Sequence, residues 1–218
     1  MYQQLQQFVI YSILLLLVMF LAEAIYRYLK KSSEWPRKIA HIGSGIIALS
    51  YPIYITNHWI VFGIAVSFSI ILFFSKKKGL FQSIFAVRQK SYGELFFVFA
   101  SWLLFWLYQT TDEVLFFYLP FSIIVFADAI AALVGGKFPV KRFKCTMNEK
   151  SIGGSVAFFI IAFFLSYYYM TECWHHQNIL MFSIIHSLIL TVVEAFSSRG
   201  SDNLTIPVAS VIFILLIN

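Results

Sequence analysis

FADAIAALVGGKFPVKRFKCTMNEKSIGGS, residues 126–155, holds features that a plain membrane anchor does not need. Asp128 interrupts an apolar run. A Gly135-Gly136-Lys137 break follows, then a strongly basic loop, then Lys150-Ser151-Ile152-Gly153-Gly154-Ser155, where the next apolar run begins. Ionised side chains are costly inside a bilayer and tend to mark function. Glycines beside lysines at a helix start allow the close approach of a phosphate. The stretch therefore predicts two membrane helices joined by an anion-binding turn, with the rest of the chain as scaffold. The plainer alternative is that the glycines only cap two helices across a turn.

The surrounding composition agrees with a membrane setting. The 218 residues are 60% hydrophobic and 12% charged, with a mean hydropathy of +0.81, outside the range of soluble domains. Residues 1–218 read as one all-α integral membrane domain. Apolar segments fall at residues 8–29, 39–55, 58–75, 92–108, 113–134, 154–171, 178–196 and 204–217. They predict a polytopic bundle of eight transmembrane helices, or seven if the last is re-entrant. Leu80, Phe81, Ile84, Phe85 and Val87 form an apolar stripe that predicts an interfacial amphipathic helix over residues 80–90. The first segment is too long for a signal peptide and lacks the basic start of one, so it is expected to remain as a helix. Cys145 and Cys173 are too few for a disulfide framework.

The net charge of +6 is spent on topology. All Lys and Arg residues fall in alternate loops: after the first segment (Arg27, Lys30, Lys31, Arg37, Lys38), the third (Lys76, Lys77, Lys78, Arg88, Lys90), the fifth (Lys137, Lys141, Arg142, Lys144, Lys150) and the seventh (Arg199). The positive-inside rule puts those loops in the cytoplasm and the N-terminus outside. Partners are then the lipid bilayer and a small anionic ligand, with no nucleic acid.

Four carboxylates lie in or near apolar segments: Glu23, Glu94, Asp128 and Glu194. All sit toward the basic side, where a transporter would be expected to hold its ionisable groups near the midplane. Glu23 and Glu94 read most simply as ion-pair partners of the basic loops. Asp128 and Glu194 have alanine neighbours that allow close helix packing, as an interior site requires. Glu194 is followed by Asp202 and Asn203, whose oxygens suit a hard ion such as Mg²⁺; Asp202 could equally be a helix N-cap. Arg37, Lys38 and His41 share one short stretch with Gly43 and Gly45. His58, His175, His176 and His186 lack zinc-ligand spacing.

In order along the chain, four motifs resemble those of the polytopic lipid-alcohol kinases, a family that includes dolichol kinase, phytol kinase and the CTP-dependent diacylglycerol kinase of yeast, and that is distantly similar to phosphatidate cytidylyltransferases. The motifs are Arg37-Lys38-x-x-His41-x-x-x-Gly45; Asp128-x-x-Ala131-x-x-x-Gly135-Gly136-Lys137-Phe138; Lys150-Ser151-x-Gly153-Gly154-Ser155; and Glu194 followed by Gly200-x-Asp202-Asn203. Pro139 stands where members commonly have Gly, and Gly153 where they often have Glu. The resemblance implies CTP as co-substrate and a membrane lipid alcohol as acceptor. It implies Asp128, Lys150, Glu194 and His41 as catalytic residues. Arg37, Lys38, Gly135, Gly136, Lys137, Ser151, Gly153, Gly154, Ser155 and Asn203 would hold the nucleotide, with Asp128, Glu194 and Asp202 on the metal. Cytidylyl transfer to a lipid phosphate, and a transporter or scaffold without chemistry, remain the alternatives.

Overall fold

A computed structural model describes residues 2–29, 34–85, 91–145, 149–174 and 177–217. Its helices are α1 (Tyr2–Leu29), α2 (Glu34–Leu49), α3 (Tyr51–Tyr54), α4 (His58–Lys78), α5 (Gln82–Phe85), α6 (Gly93–Thr111), α7 (Leu115–Ser122), α8 (Asp128–Lys137), α9 (Ile152–Cys173), α10 (Ile179–Phe196) and α11 (Asp202–Ile217). A π-helical turn, Ile123–Ala127, joins α7 to α8 into one rod. Among the described residues, five helices are long and apolar enough to cross a membrane: Tyr2–Tyr28, His58–Lys78, Leu115–Lys137, Ile152–Cys173 and Ile179–Phe196. Asp202–Ile217 is apolar but shorter. The chain is thus an all-α integral membrane bundle.

Local chemistry sets several boundaries. The Asn57 side chain accepts from Trp59 N and starts α4, and Gly79, at φ 65°, ends it after three lysines, which favour the negative end of a helix. Pro120 lies inside α7 and has no N–H to donate. Just beyond it the ladder widens, with Asp128 N donating to Ile123 O. Such π turns recur where a site interrupts a helix. Leu115–Lys137 is the central rod: 67% of its apolar window is buried, against 39% or less for the other four. Around it, α9 packs on α8 and α10, α11 on α6 and α10, and α2 on α1.

Close approach of α2 to the rod depends on Gly45, because a Cβ there would overlap the Val125 isopropyl group. Gly43 does the same for Val18 on α1. These glycines therefore serve helix packing. Gly45→Ala is expected to destabilise the protein by about 1–3 kcal/mol, with part of the loss recovered in a Gly45→Ala/Val125→Ala double variant. Unfolding in detergent measures both, and a neutral single variant would contradict the packing.

His186 has a structural explanation as well. Ser166 Oγ donates to Ala162 O at 2.6 Å, so its oxygen accepts from His186 Nδ1 at 2.8 Å. In the neutral ring that leaves Nε2 to accept from the Ser210 hydroxyl at 2.9 Å. One imidazole thereby ties α9, α10 and α11 together inside apolar surroundings.

Two sequence expectations change. The basic loop contains a two-stranded antiparallel hairpin, β1 (Arg142–Lys144) with β2 (Glu149–Ser151), pairing Phe143 with Lys150. In the segment expected to lie at the interface, α5 is a single turn with Ser83, Ile84 and Phe85 buried. It is held in the bundle because Ser83 N donates to Glu23 Oε2 at 3.0 Å. Residues 86–90, including Val87, Arg88 and Lys90, lie outside the described residues, as do Lys30 and Lys31.

The loops that carry the described basic residues meet at one end of the bundle. Lys76 Nζ donates to Ser91 O at 2.7 Å, and Tyr92 N to Arg199 O at 2.9 Å. Uncharged contacts mark the opposite end, where Gln7 reaches Tyr54 O at 2.7 Å and Gln109 takes His58 N at 2.6 Å.

Candidate active site

At the basic end, α2, α6, α8, β2, α9, α10 and α11 enclose one cavity of about 300 Å³. Two lysine–carboxylate groups face it. Lys38, with a 4% exposed side chain, donates to Asp128 Oδ2 at 2.6 Å and to the Asp128 carbonyl at 3.5 Å. Lys150 donates to Glu194 Oε1 and stands 3.7 Å from Asp202 Oδ2. Burial pulls the Lys150 ammonium toward a lower pKa, but Glu194, then Asp202 and more weakly Asp128, outweigh it and hold the value above that of an ordinary lysine. Lys150 is therefore charged throughout the physiological range.

His41 sits one turn from Lys38 and donates through Nε2 to the π-turn carbonyl of Ile124 at 2.8 Å. Lys38 and His41, about one turn apart on α2, meet Asp128 and Ile124, about one turn apart in the opposite direction, so α2 and the central rod run antiparallel with two polar contacts between them. Arg37 is paired with Glu34 at 2.9 Å. The Asn203 amide donates to Gly93 O at 2.8 Å, and Asp202 Oδ1 accepts from Asn203 N at 3.2 Å while Oδ2 faces Lys150. Asp202 thus both opens α11 and belongs to the charged group.

The cavity draws together Arg37, Lys38, His41, Asp128, Gly135, Gly136, Lys150, Ser151, Gly154, Ser155, Glu194, Asp202 and Asn203. It also includes Glu34, Glu94, Arg142 and Glu149, which the sequence reading did not assign to a site. Glu94 was legible in outline as an acidic residue in an apolar helix. The hairpin residues were not, because their position depends on strand pairing. Glu23 does not line the cavity; it pairs with Arg27 at 3.0 Å and holds α5. Lys137 does not line it either, with its ammonium 5.2 Å over the Phe138 ring.

The expected backbone cradle at the start of α9 changes in detail. Gly153 N donates to Pro139 O at 3.3 Å, Ile152 N to Lys141 O at 2.9 Å, and Gly154 N to Ser151 Oγ at 3.1 Å. Those N–H groups are already partnered, which leaves anion binding to side chains. A Cβ at Gly153 would overlap the Phe138 carbonyl, and Gly135 and Gly154 allow α8 and α9 to touch. Only Gly136, of the four glycines in these two motifs, has open space where a Cβ would lie. Pro139 and Gly153, the two departures from the resembled pattern, are therefore hydrogen-bonded neighbours that fold the loop back onto α9.

Among the described lining residues, six carboxylates (Glu34, Glu94, Asp128, Glu149, Glu194, Asp202) outnumber four cations (Arg37, Lys38, Arg142, Lys150). A polyphosphate would meet net negative charge here unless a cation came with it. Among the described residues, Glu194 Oε2, Asn203 Oδ1 and Ser155 Oγ are buried lining atoms without a hydrogen-bond partner. Among the described residues no group of three or more His, Cys, Asp or Glu forms a ready ion cage. The donor set suits a hard cation held by one or two carboxylates together with ligand phosphates.

Below this charged mouth the cavity continues as an apolar arm. Its walls are stripes at one-turn spacing: Leu15 and Met19 on α1, Ala40, Ser44 and Ala48 on α2, Ile64, Phe68 and Leu72 on α4, and Phe97 and Ser101 on α6. The Ser44 and Ser101 hydroxyls are satisfied within their own helices by Ala40 O and Val98 O, each at 2.7 Å.

No family model matches the chain, and no solved structure does. The chain is 36% identical over 92 residues to an uncharacterized protein of Rickettsia prowazekii, covering 40% of this chain and 41% of that one. Over 195 residues it is 26% identical to a phytol kinase from a Synechocystis species, covering 88% of this chain and 83% of the relative.

Proposed function

We propose that the protein is a phosphotransferase that moves the terminal phosphoryl group of a nucleoside triphosphate, CTP, to the hydroxyl of a membrane lipid alcohol such as a polyprenol, a phytol-like alcohol or diacylglycerol. One observation carries the reading: a cavity that is ionic at its mouth and apolar along its arm. A lipid alcohol has that same division, with a polar reacting end on a hydrocarbon chain. The similarity to a phytol kinase supports the same chemistry.

Phosphoryl transfer asks the protein mainly for positioning and for neutralisation of charge. Lys38, Lys150 and Arg37 would bind phosphate oxygens, exchanging part of their carboxylate contacts for the ligand. Gly136 leaves room for the nucleotide beside α8. Asp128, which lines the cavity beside Lys38, would orient the lipid hydroxyl and accept its proton as the oxygen attacks the phosphorus and the nucleoside diphosphate leaves. His41 would fix the rod that presents Asp128. Mg²⁺ would be held by Glu194, Asn203 and Asp202 together with the phosphates, and would supply charge neutralisation.

The nucleotide product distinguishes this chemistry from its neighbour. Purified protein given Mg²⁺, CTP and a lipid alcohol is expected to release CDP and form a lipid monophosphate. Pyrophosphate release would instead assign nucleotidyl transfer, and no product with any nucleotide would remove the enzymatic reading. The proposed sidedness places the basic end in the cytoplasm. Cys145 and Cys173 are both free, so an impermeant maleimide applied to intact cells should label Cys173 and spare Cys145; the reverse would invert the topology.

A further inference from the structure

The arm ends at the same level on every wall. Lining stops at Leu15 on α1, Ile64 on α4 and Ser101 on α6, and one turn deeper each helix carries a buried bulky side chain, Tyr11, Ile60 and Phe105. Tyr51 closes the floor between them, its ring 5.1 Å from that of Tyr11 and 6.0 Å from that of Phe105. The Tyr11 hydroxyl is anchored on Ser50 Oγ at 2.7 Å. From Lys38 to Ala48 the depth is roughly 15 Å at the helical rise. With C–C bonds of about 1.5 Å in a zigzag, that holds on the order of a dozen main-chain carbons.

We propose that this arm takes the hydrocarbon chain of a single-chain alcohol and measures its length. Ala40, Ser44 and Ala48 form the track, and the Tyr51 layer is the stop. The inference rests on the phosphoryl-transfer reading for its orientation, with the hydroxyl at Asp128 and the chain pointing to Tyr51. Straight one-turn stripes on four walls, α1, α2, α4 and α6, make a channel parallel to the helices, sized for one hydrocarbon chain. The Ser44 and Ser101 hydroxyls along it are already bonded within their own helices, so neither costs a hydrogen bond when hydrocarbon passes them.

The test measures binding and turnover separately. Thermal stabilisation of the detergent-purified protein is recorded with hexanol, dodecanol, octadecanol and dioctanoylglycerol, in wild type and in Ala48→Leu and Ser101→Leu, which narrow the deep end from opposite walls. Wild type is expected to prefer dodecanol over hexanol by about tenfold in affinity, with octadecanol and dioctanoylglycerol weaker than dodecanol. In both variants the dodecanol-to-hexanol ratio should fall to near one. KM ratios in the kinase assay should follow the same order. Equal binding of all four, or a ratio unchanged in both variants, overturns the length gauge even if phosphorylation is robust. Length-dependent binding without phosphorylation by any nucleotide would keep the arm and overturn the transfer chemistry.

Discussion

Asp128→Asn should lower nucleotide-dependent phosphorylation by about a thousandfold, because the variant keeps the size of the side chain and loses the oxygen that accepts the hydroxyl proton. The substitution also leaves the Lys38 ammonium, 4% exposed, without its carboxylate. Removing one partner of such a pair costs about 3–5 kcal/mol. Thermal unfolding separates the two effects. A Lys38→Met/Asp128→Asn double variant should recover much of the stability, since neither charge is then stranded, yet remain inactive. Turnover close to wild type in Asp128→Asn would end the assignment of Asp128 to the reacting hydroxyl.

Lys150→Ala should be nearly as damaging, with activity down by about a hundredfold or more. Glu194 and Asp202 both face the Lys150 ammonium, and without it two buried carboxylates repel each other across the cavity. Lys150→Arg should preserve stability, because the positive charge remains, and recover only part of the activity, because a planar fork does not reproduce a point donor. Folded-state pKa values raised in this way support stability that is full below the unfolded lysine pKa and lost as pH rises through the folded one. A change in activity around neutral pH therefore arises elsewhere than at Lys150. Wild-type stability in Lys150→Ala would show that the carboxylates do not depend on it.

Much of this arrangement was legible in the sequence. Asp128 and Glu194 stood out because an acid inside an apolar run needs a partner, and the cavity brings both to Lys150 and Asp202. All eight apolar segments overlap helices of the bundle, although Glu34–Leu49 starts earlier than read and breaks at Ser50. The role of Lys38 was harder to see, since an Arg-Lys pair beside an apolar segment also fits a simple topology signal. The backbone N–H of Gly153 looked available because its bond to Pro139 O depends on how the loop folds back, and that of Gly154 because Ser151 was read as a ligand group when its hydroxyl caps α9. Least visible was the arm. Ala40, Ser44 and Ala48 look like ordinary small helix residues until four walls are assembled around them. His186 looked isolated because its two serine partners lie on other helices.

Gly200 lies so close to Gly93 that a Cβ on it would overlap the Gly93 backbone, and the Asn203 amide is bonded to the same Gly93. The segments they join are more than a hundred residues apart. During synthesis the helices from α1 to α9 can insert and bring Lys38 to Asp128 before the last two helices leave the ribosome. Glu194, Asp202 and Asn203 arrive only then, docking on the start of α6. An unfinished chain therefore carries the apolar arm and four of the six mouth carboxylates, and lacks Glu194 and Asp202, the two that face Lys150, until its last helices arrive.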